Sequence, residues 1–308
     1  MKKVFIDGKE GTTGLNIYER IKDRDDITLI TLKEEERKDI TARKKAINES
    51  DITILCLPDS AAIESVSLCE NQNTVIIDAS TAHRTKEGWL YGFAEIDKDF
   101  AKKVKTAKRI ANPGCHASGF IALVKPLIDN GIIDSNASLC TFSITGYSGG
   151  GKKMIASYEE NKDENLSFPR QYGLNQSHKH LKEMAYVCGL KNLPAFSPVV
   201  APFYSGMEVS VWLFNKDLKE GKGVQDIINA YKSLYNNGIV EYDSSSEDGF
   251  LSSGILSGKD SMKVGVYGNE ERILLTARYD NLGKGACGSA IECLNYVLGV
   301  DEKKGLKL

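Results

Sequence analysis

The run Ala111-Asn112-Pro113-Gly114-Cys115-His116-Ala117-Ser118-Gly119 places a thiol directly after a tight turn. Pro113 fixes its own φ, and Gly114 is free to take a positive one. Apolar residues follow at helical spacing from Ala117 to Ile128, with Phe120, Leu123, Val124 and Leu127 on one face. Cys115 is therefore expected at a helix entry, facing unpaired N–H groups and the positive end of the helix dipole. Both favour thiolate, which is the nucleophile. The same N–H groups suit the oxyanion formed when a carbonyl is attacked. The competing reading is a buried cysteine packing as a small hydrophobe. That reading is preferred for Cys56, Cys69, Cys140, Cys188, Cys287 and Cys293.

A reactive cysteine calls for an acid–base partner, and the chain has only four histidines. His178 and His180 stand near the start of a helix expected from Lys179 to Cys188. Two residues apart, they do not share a helix face, so they are poor joint ligands for a metal. As a pair they are the best source of an acid–base group. His116 adjoins the cysteine, but its side chain is expected to point away along the helix. His83 is left with Arg84. There is no C-x-x-C, and no metal site is expected.

These groups need elements to hold them. Lys3 to Asp7 reads as a strand, Gly8-Lys9-Glu10-Gly11-Thr12-Thr13-Gly14 as a turn, and Leu15, Ile17, Tyr18 and Ile21 as a helix face. A strand, a glycine turn and a helix make a phosphate cradle, here spaced G-x-x-G-x-x-G rather than G-x-G-x-x-G. A second strand runs from Ile27 to Leu32. An acid at its end would bond a ribose hydroxyl; Lys33, with Arg37 and Lys38, suits a 2′-phosphate instead, hence NADP. Glu34, Glu35 and Glu36 dilute that signal. Asp51–Pro58 and Thr74–Ser80 read as buried parallel strands with a helix from Ser60 to Glu70 between them, and Arg109–Ala111 as a last short strand. Residues 1–114 thus read as a Rossmann-like doubly wound parallel sheet, with Cys115 and Arg84 expected at its carboxyl edge.

After Ser138 the pattern changes. Alternating segments at Leu139–Ser148, Phe196–Pro202, Met207–Phe214 and Arg272–Tyr279 suit a mixed or antiparallel sheet. Further helices are expected at Val224–Asn236 and Ala286–Leu298, and Gly149 to Lys153 reads as a flexible loop. The fold class is therefore α/β: a Rossmann-like sheet plus an α+β catalytic domain.

A net charge of −2 provides no field for nucleic acid or an anionic membrane. No segment resembles a signal peptide or a membrane span, and seven cysteines without paired spacing argue against a disulfide framework. A cytoplasmic enzyme is the simplest expectation.

Five segments, taken in order, resemble the phosphorylating semialdehyde dehydrogenases, most closely the shorter sequence class of the N-acetyl-gamma-glutamyl-phosphate reductase family. They are Asp7 to Gly14; Asp78-Ala79-Ser80-Thr81-Ala82-His83-Arg84; Ala111 to Cys115; Gly146-Tyr147-Ser148-Gly149-Gly150-Gly151-Lys152-Lys153; and His178-Lys179-His180 with Asn281-Leu282-Gly283-Lys284-Gly285-Ala286. The family's terminal helix often carries Gln where this chain has Glu292.

The resemblance implies NADPH-dependent reduction of N-acetyl-L-glutamyl 5-phosphate to the 5-semialdehyde and phosphate through a Cys115 thioester, a step of arginine biosynthesis. It implies His180 as acid–base group, and Arg84, His178 and Asn112 as substrate contacts. Gly8, Gly11, Thr12, Thr13, Gly14, Lys33 and Asn281 would contact NADP. It also implies a homo-oligomer, dimer or tetramer. Residues 1–114, completed by the C-terminal helix 285–308, would bind NADP. Residues 115–284 would form the catalytic and oligomerisation domain. Rivals are a relative acting on aspartyl or aminoadipyl phosphate, a Cys–His hydrolase or acyltransferase, and a non-catalytic NADP-binding regulator.

Overall fold

The computed structural model describes residues 1–160 and 163–308. Its contacts divide the chain into two units, Met1–Gly114 with Ala286–Leu306, and Cys115–Gly285 with Lys307–Leu308.

The first unit opens with β1 (Lys2–Asp7), α1 (Thr12–Ile21), β2 (Ile27–Ile30), α2 (Ile40–Glu49), β3 (Ile52–Leu55) and α3 (Asp59–Leu68). It continues through β4 (Val75–Asp78), β5 (Leu90–Tyr91), α4 (Phe100–Lys103) and β6 (Arg109–Ala111). The six strands are parallel, in the order β2-β1-β3-β4-β6-β5. Every residue of β3 and β4 is buried, as expected of strands covered on both faces. On one face, Val4, Ile6, Ile54 and Ile77 pack with Ile17 and Ile21 of α1. On the other, Phe5 packs with Ala46 and Ile47 of α2, and Leu55 and Ile76 with Ala62 of α3. Alternation along each strand sends successive side chains to opposite layers. Helix α2 is not announced by periodicity, because it buries only Arg43, Ala46 and Ile47. Its signal is Asp39, whose carboxylate accepts the Thr41 N–H at 2.7 Å. Leu15, expected on the apolar face of α1, is exposed.

The second unit contains α5 (Cys115–Asp129), β7 (Cys140–Gly146), α6 (Gly151–Glu160), β8 (Arg170–Gln171), α7 (His180–Cys188), β9 (Ala195–Ala201) and β10 (Met207–Phe214). It ends with α8 (Val224–Leu234), β11 (Val240–Tyr242), β12 (Met262–Gly268) and β13 (Arg272–Tyr279). Its sheet runs β11-β12-β13-β10-β7-β9-β8. β7–β9 and β11–β12 pair parallel and the rest antiparallel, so the sheet is mixed. Val209, Val211 and Leu213 of β10 are buried, while Trp212 and Phe214 on the opposite face are exposed. A π-type turn (Gly283–Cys287) leads into α9 (Gly288–Leu298), whose Ala290, Ile291 and Leu294 join the Val4–Ile6 core of the first unit.

Two expectations change. Gly149–Lys153 is not a loose loop: Tyr147–Gly150 forms a 3-10 turn, and Gly151, Lys152 and Lys153 open α6. Helix α5 does not have a single apolar stripe either, because every residue from His116 to Val124 is buried. It also contains Pro126, which has no N–H to offer the Ala122 carbonyl one turn back. The Tyr235 hydroxyl donates to that carbonyl at 2.8 Å, and the Tyr231 hydroxyl to the Leu123 carbonyl at 2.6 Å. In a helix buried on all sides, each such carbonyl left unmatched would cost stability.

Candidate active site

Cys115 is the first residue of α5 and is partly exposed. The residue beside it corrects the reading of the sequence. His116 does not point away from the other histidines, because its ring centroid lies 5.6 Å from those of both His178 and His180. The His178 and His180 rings are themselves 4.8 Å apart and edge-on. They meet although they are two residues apart, because α7 begins only at His180 and His178 lies ahead of it. There His178 Nδ1 accepts the His180 N–H at 3.2 Å, a cap that needs the imidazole neutral at that nitrogen.

His116 is fixed at both nitrogens, Nδ1 to Ser143 Oγ at 2.7 Å and Nε2 to the Tyr172 hydroxyl at 2.6 Å. One nitrogen donates and the other accepts, so the neutral ring suits both partners. Burial, then the nearby His178, pushes His116 down to about 3, and burial pushes His178 down to about 4. His180 is buried, and Glu183 on the same helix face one turn later is buried too. Burial and then the charge of Cys115 push the Tyr172 hydroxyl up. Tyr172, Ser143 and Glu183 carry no sequence signal for this role; His116 carried one, its place next to the cysteine.

In the first unit, the segment from Asp78 to Arg84 is organised by a carboxylate. Asp78 accepts the Ser80 N–H at 2.9 Å, the Ser80 hydroxyl at 2.7 Å and His83 Nδ1 at 2.6 Å. The His83 ring stacks on Trp89 at 4.0 Å, so this histidine is structural. Arg84 is buried and not a solvent-facing loop residue. Its Nε donates to the Asn112 carbonyl at 2.9 Å and one terminal nitrogen to the Ala79 carbonyl at 3.0 Å. The Asn112 N–H donates to the Asp78 carbonyl, and its side-chain amide to the Ala286 carbonyl at 3.0 Å. Asn112 Oδ1 is buried and has no hydrogen-bond partner among the described residues.

The glycine turn after β1 borders a cavity of about 870 Å³ within the first unit. The cavity lies at the carboxyl ends of β1, β2 and β3, where the strand order reverses, the usual ligand position in open α/β sheets. Gly8 has φ +88°, and a Cβ there would fall 2.4 Å from the Cys56 carbonyl oxygen. A Cβ on Gly14 would fall 2.4 Å from the Gly8 carbonyl oxygen. Gly11 meets nothing closer than 3.5 Å, so no contact within the protein demands a glycine there. Thr12 Oγ1 in the first turn of α1 is buried without a partner among the described residues; Thr13 follows it and its carbonyl accepts the Cys287 thiol. Arg37 and Lys38 line the cavity, and Lys33 is exposed nearby in sequence.

Asn281 is buried in the second unit, where its Nδ2 donates to Ser148 Oγ at 3.0 Å and its Oδ1 accepts the Gly206 N–H at 3.0 Å. Both ends of this amide are engaged with protein. The expectation that all other thiols are buried fails at Cys140, which is exposed at the start of β7, and Cys56 and Cys69 are only partly buried. Among the described residues, no group of His, Cys, Asp and Glu is placed to hold a metal, and no helix is long and apolar enough to cross a membrane.

Comparison with known proteins matches residues 3–104 to the semialdehyde dehydrogenase NAD-binding domain and residues 115–281 to the semialdehyde dehydrogenase dimerisation domain. The chain is 42% identical to N-acetyl-gamma-glutamyl-phosphate reductase 2 of a Nostoc species, covering 99% of each chain. It is 43% identical to the N-acetyl-gamma-glutamyl-phosphate reductase of Mesorhizobium japonicum, covering 97% of this chain and 99% of the relative. In fold it is similar to aspartate semialdehyde dehydrogenase II of Vibrio cholerae (TM-score 0.74, 17% identity, covering 97% and 99%). A second likeness is to the aspartate semialdehyde dehydrogenase of Candida albicans solved with NADP (TM-score 0.68, 13% identity, covering 97% and 99%).

Proposed function

The chain belongs to the semialdehyde dehydrogenase family, with N-acetyl-gamma-glutamyl-phosphate reductase activity in arginine biosynthesis, and from that premise we propose how its residues divide the work. Cys115 is the nucleophile: its sulfur attacks the acyl carbon of the substrate, the C–O bond to phosphate breaks, and a thioester remains. His180 donates a proton to the alkoxide that develops as the thioester is reduced, and removes it in the reverse direction. His178 supports it by capping α7 at the His180 N–H. His116, neutral between Ser143 and Tyr172, holds its ring in the same cluster. The observation that carries this reading is the convergence of three histidine rings that includes the one next to Cys115.

Arg84 is assigned the phosphate of the substrate, with Asn112 beside it in the turn that precedes Cys115. Two of its donors already hold backbone carbonyls, so its geometry is preset.

The residues around the first-unit cavity fit a nicotinamide dinucleotide. A positive-φ turn at Gly8 packed on the Cys56 carbonyl, open space beside Gly11, an unpartnered Thr12 hydroxyl and an α-helix N-terminus suit a pyrophosphate. Gly8, Gly11, Thr12, Thr13 and Gly14 would hold it, and Lys33 with Arg37 and Lys38 would take the 2′-phosphate of NADP. The bound dinucleotide supplies hydride to the acyl carbon. Asn281 enters this scheme by tying Ser148 to Gly206. The matched dimerisation domain and the exposed Trp212 and Phe214 support a homo-oligomer, dimer or tetramer.

The test is phosphate-dependent reduction of NADP with N-acetylglutamate 5-semialdehyde, run beside the aspartate and aminoadipate semialdehydes and beside NAD. The expected result is the highest kcat/KM with the acetylated substrate and NADP. A higher value with either other semialdehyde overturns the substrate; equal values for NAD and NADP overturn the cofactor reading.

A further inference from the structure

We propose that Tyr279 is a positioning residue for the nucleophile, its hydroxyl locking the first rung of α5 and with it the backbone from which the Cys115 thiol projects. This rests on Cys115 being the nucleophile. The Tyr279 hydroxyl donates to the Cys115 carbonyl at 2.5 Å and accepts the Gly119 N–H at 3.0 Å. Those two groups are one turn apart in an α-helix, so a side chain from β13 joins the rung that begins at the nucleophile itself.

The contact is built in from both sides. A Cβ at position 119 would lie 2.7 Å from the Tyr279 hydroxyl and 2.6 Å from Val209 Cγ2, so the glycine is what admits the hydroxyl to the helix surface. Tyr279 is fully buried at the end of a strand paired on both edges, opposite Met207 of β10 and Met262 of β12. The next residue anchors the strand end: Asp280 accepts the Leu282 and Gly283 N–H groups on one oxygen and Ser205 Oγ on the other. The same turn brings Gly285 against the nucleophile, where a Cβ would fall 3.1 Å from Cys115 Cβ. Cys115 is thus held at its carbonyl by the tyrosine, and the turn after Asp280 leaves no room for a side chain beside its Cβ. Burial, and after it the charge of Cys115, pushes the Tyr279 hydroxyl up, so it stays protonated and a donor while the thiolate forms.

The experiment compares Tyr279→Phe with Tyr235→Phe, which removes a hydroxyl from the same helix at Ala122. Expected for Tyr279→Phe is a kcat lower by about 10- to 100-fold, the scale of a misplaced reacting group, with KM values for substrate and cofactor within about twofold. Iodoacetamide should label the Cys115 peptide more slowly in the same variant, read by mass spectrometry because exposed Cys140 also reacts. Tyr235→Phe should lower Tm but leave kcat and Cys115 labelling at wild-type values. An unchanged kcat and labelling rate in Tyr279→Phe overturns the proposal, as does an equal kcat loss in Tyr235→Phe. Should Tyr279→Phe fail to fold, Gly119→Ala keeps the tyrosine and sets a methyl against its hydroxyl; an unchanged kcat there overturns the proposal equally. Cys115→Ala separates the premise: if it turns over normally, the nucleophile assignment falls and this proposal with it. If it is inactive while Tyr279→Phe is normal, only the positioning role falls.

Discussion

Two helices begin beside glycines in this protein, and they are built in opposite ways. Helix α1 buries three residues, Gly14, Ile17 and Ile21, has no side-chain cap, and starts at the rim of a large cavity. Helix α5 buries eleven, from His116 to Leu127, and three tyrosine hydroxyls, Tyr279 of β13, Tyr231 of α8 and Tyr235 just after α8, hold its carbonyls. The glycines differ in the same sense. Gly14 lets the α1 turn fold tightly on itself and Gly8 lets it lie against the Cys56 carbonyl, whereas Gly119 lets α5 accept a neighbour's hydroxyl. A turn that binds phosphate works through bare N–H groups, so side chains would only obstruct it. A turn that presents a nucleophile has to fix one side chain, and fixing it takes packing from every direction.

The sharpest way to separate the two is Cys115→Ala. Turnover is expected to fall by at least about 10³-fold, in line with losses of other covalent nucleophiles. Dinucleotide affinity, measured by fluorescence titration, should stay at the wild-type value because the α1 turn is untouched. Surviving phosphate-dependent turnover in this variant would contradict the assignment of α5.

Next in size is the histidine cluster. His180→Asn should cost roughly 10²- to 10⁴-fold in kcat, the usual share of general acid–base catalysis. His178→Asn, which keeps a side-chain acceptor near the α7 start, should cost less. If His178→Asn is the more damaging in steady-state kinetics, the two roles are reversed.

The α1 side is tested by glycine. Gly11→Ala meets no protein atom closer than 3.5 Å, so Tm should not change. Cofactor binding should weaken about tenfold, equivalent to about 1.4 kcal/mol, if ligand approach is what requires the glycine. Gly14→Ala, driven against the Gly8 carbonyl, should instead lower Tm. Identical melting of the two variants would erase the distinction.

The effect most confined in conditions, absent at neutral pH, is on pH-dependent stability. His116 and His178 hold protons only below about 3 and about 4 in the folded protein, whereas in the unfolded chain they do so below about 6.5. Between those values the unfolded chain binds more protons, so stability rises with pH. Their contribution is whole above about 6.5 and is lost as pH falls toward these folded values. Melting scans should show Tm dropping through that window, and His116→Gln should flatten the drop. An equally steep drop in His116→Gln would assign the acid lability to other groups.

The histidines also mark where reading the sequence stops. A helix from Lys179 was expected to split His178 from His180, but the helix begins one residue later and the two rings meet. Cys140 reads as a small core hydrophobe, yet as the first residue of a strand it is left uncovered. Lys152 and Lys153 looked mobile after three glycines, but the chain after Gly150 closes into α6.

Local chemistry alone determined the order of strands, turns and helices, the thiol at a helix start and the glycine turn after the first strand. Each of those depends on residues within a turn or two of one another, where propensity, periodicity and φ restrictions act. Only the tertiary structure decided which groups reach Cys115. Tyr172 lies 56 residues from the His116 it bonds, and Tyr279 lies 164 residues from the carbonyl it holds. Contacts at such separations come from how α5, α7 and β13 pack and register, and no spacing along the chain records that.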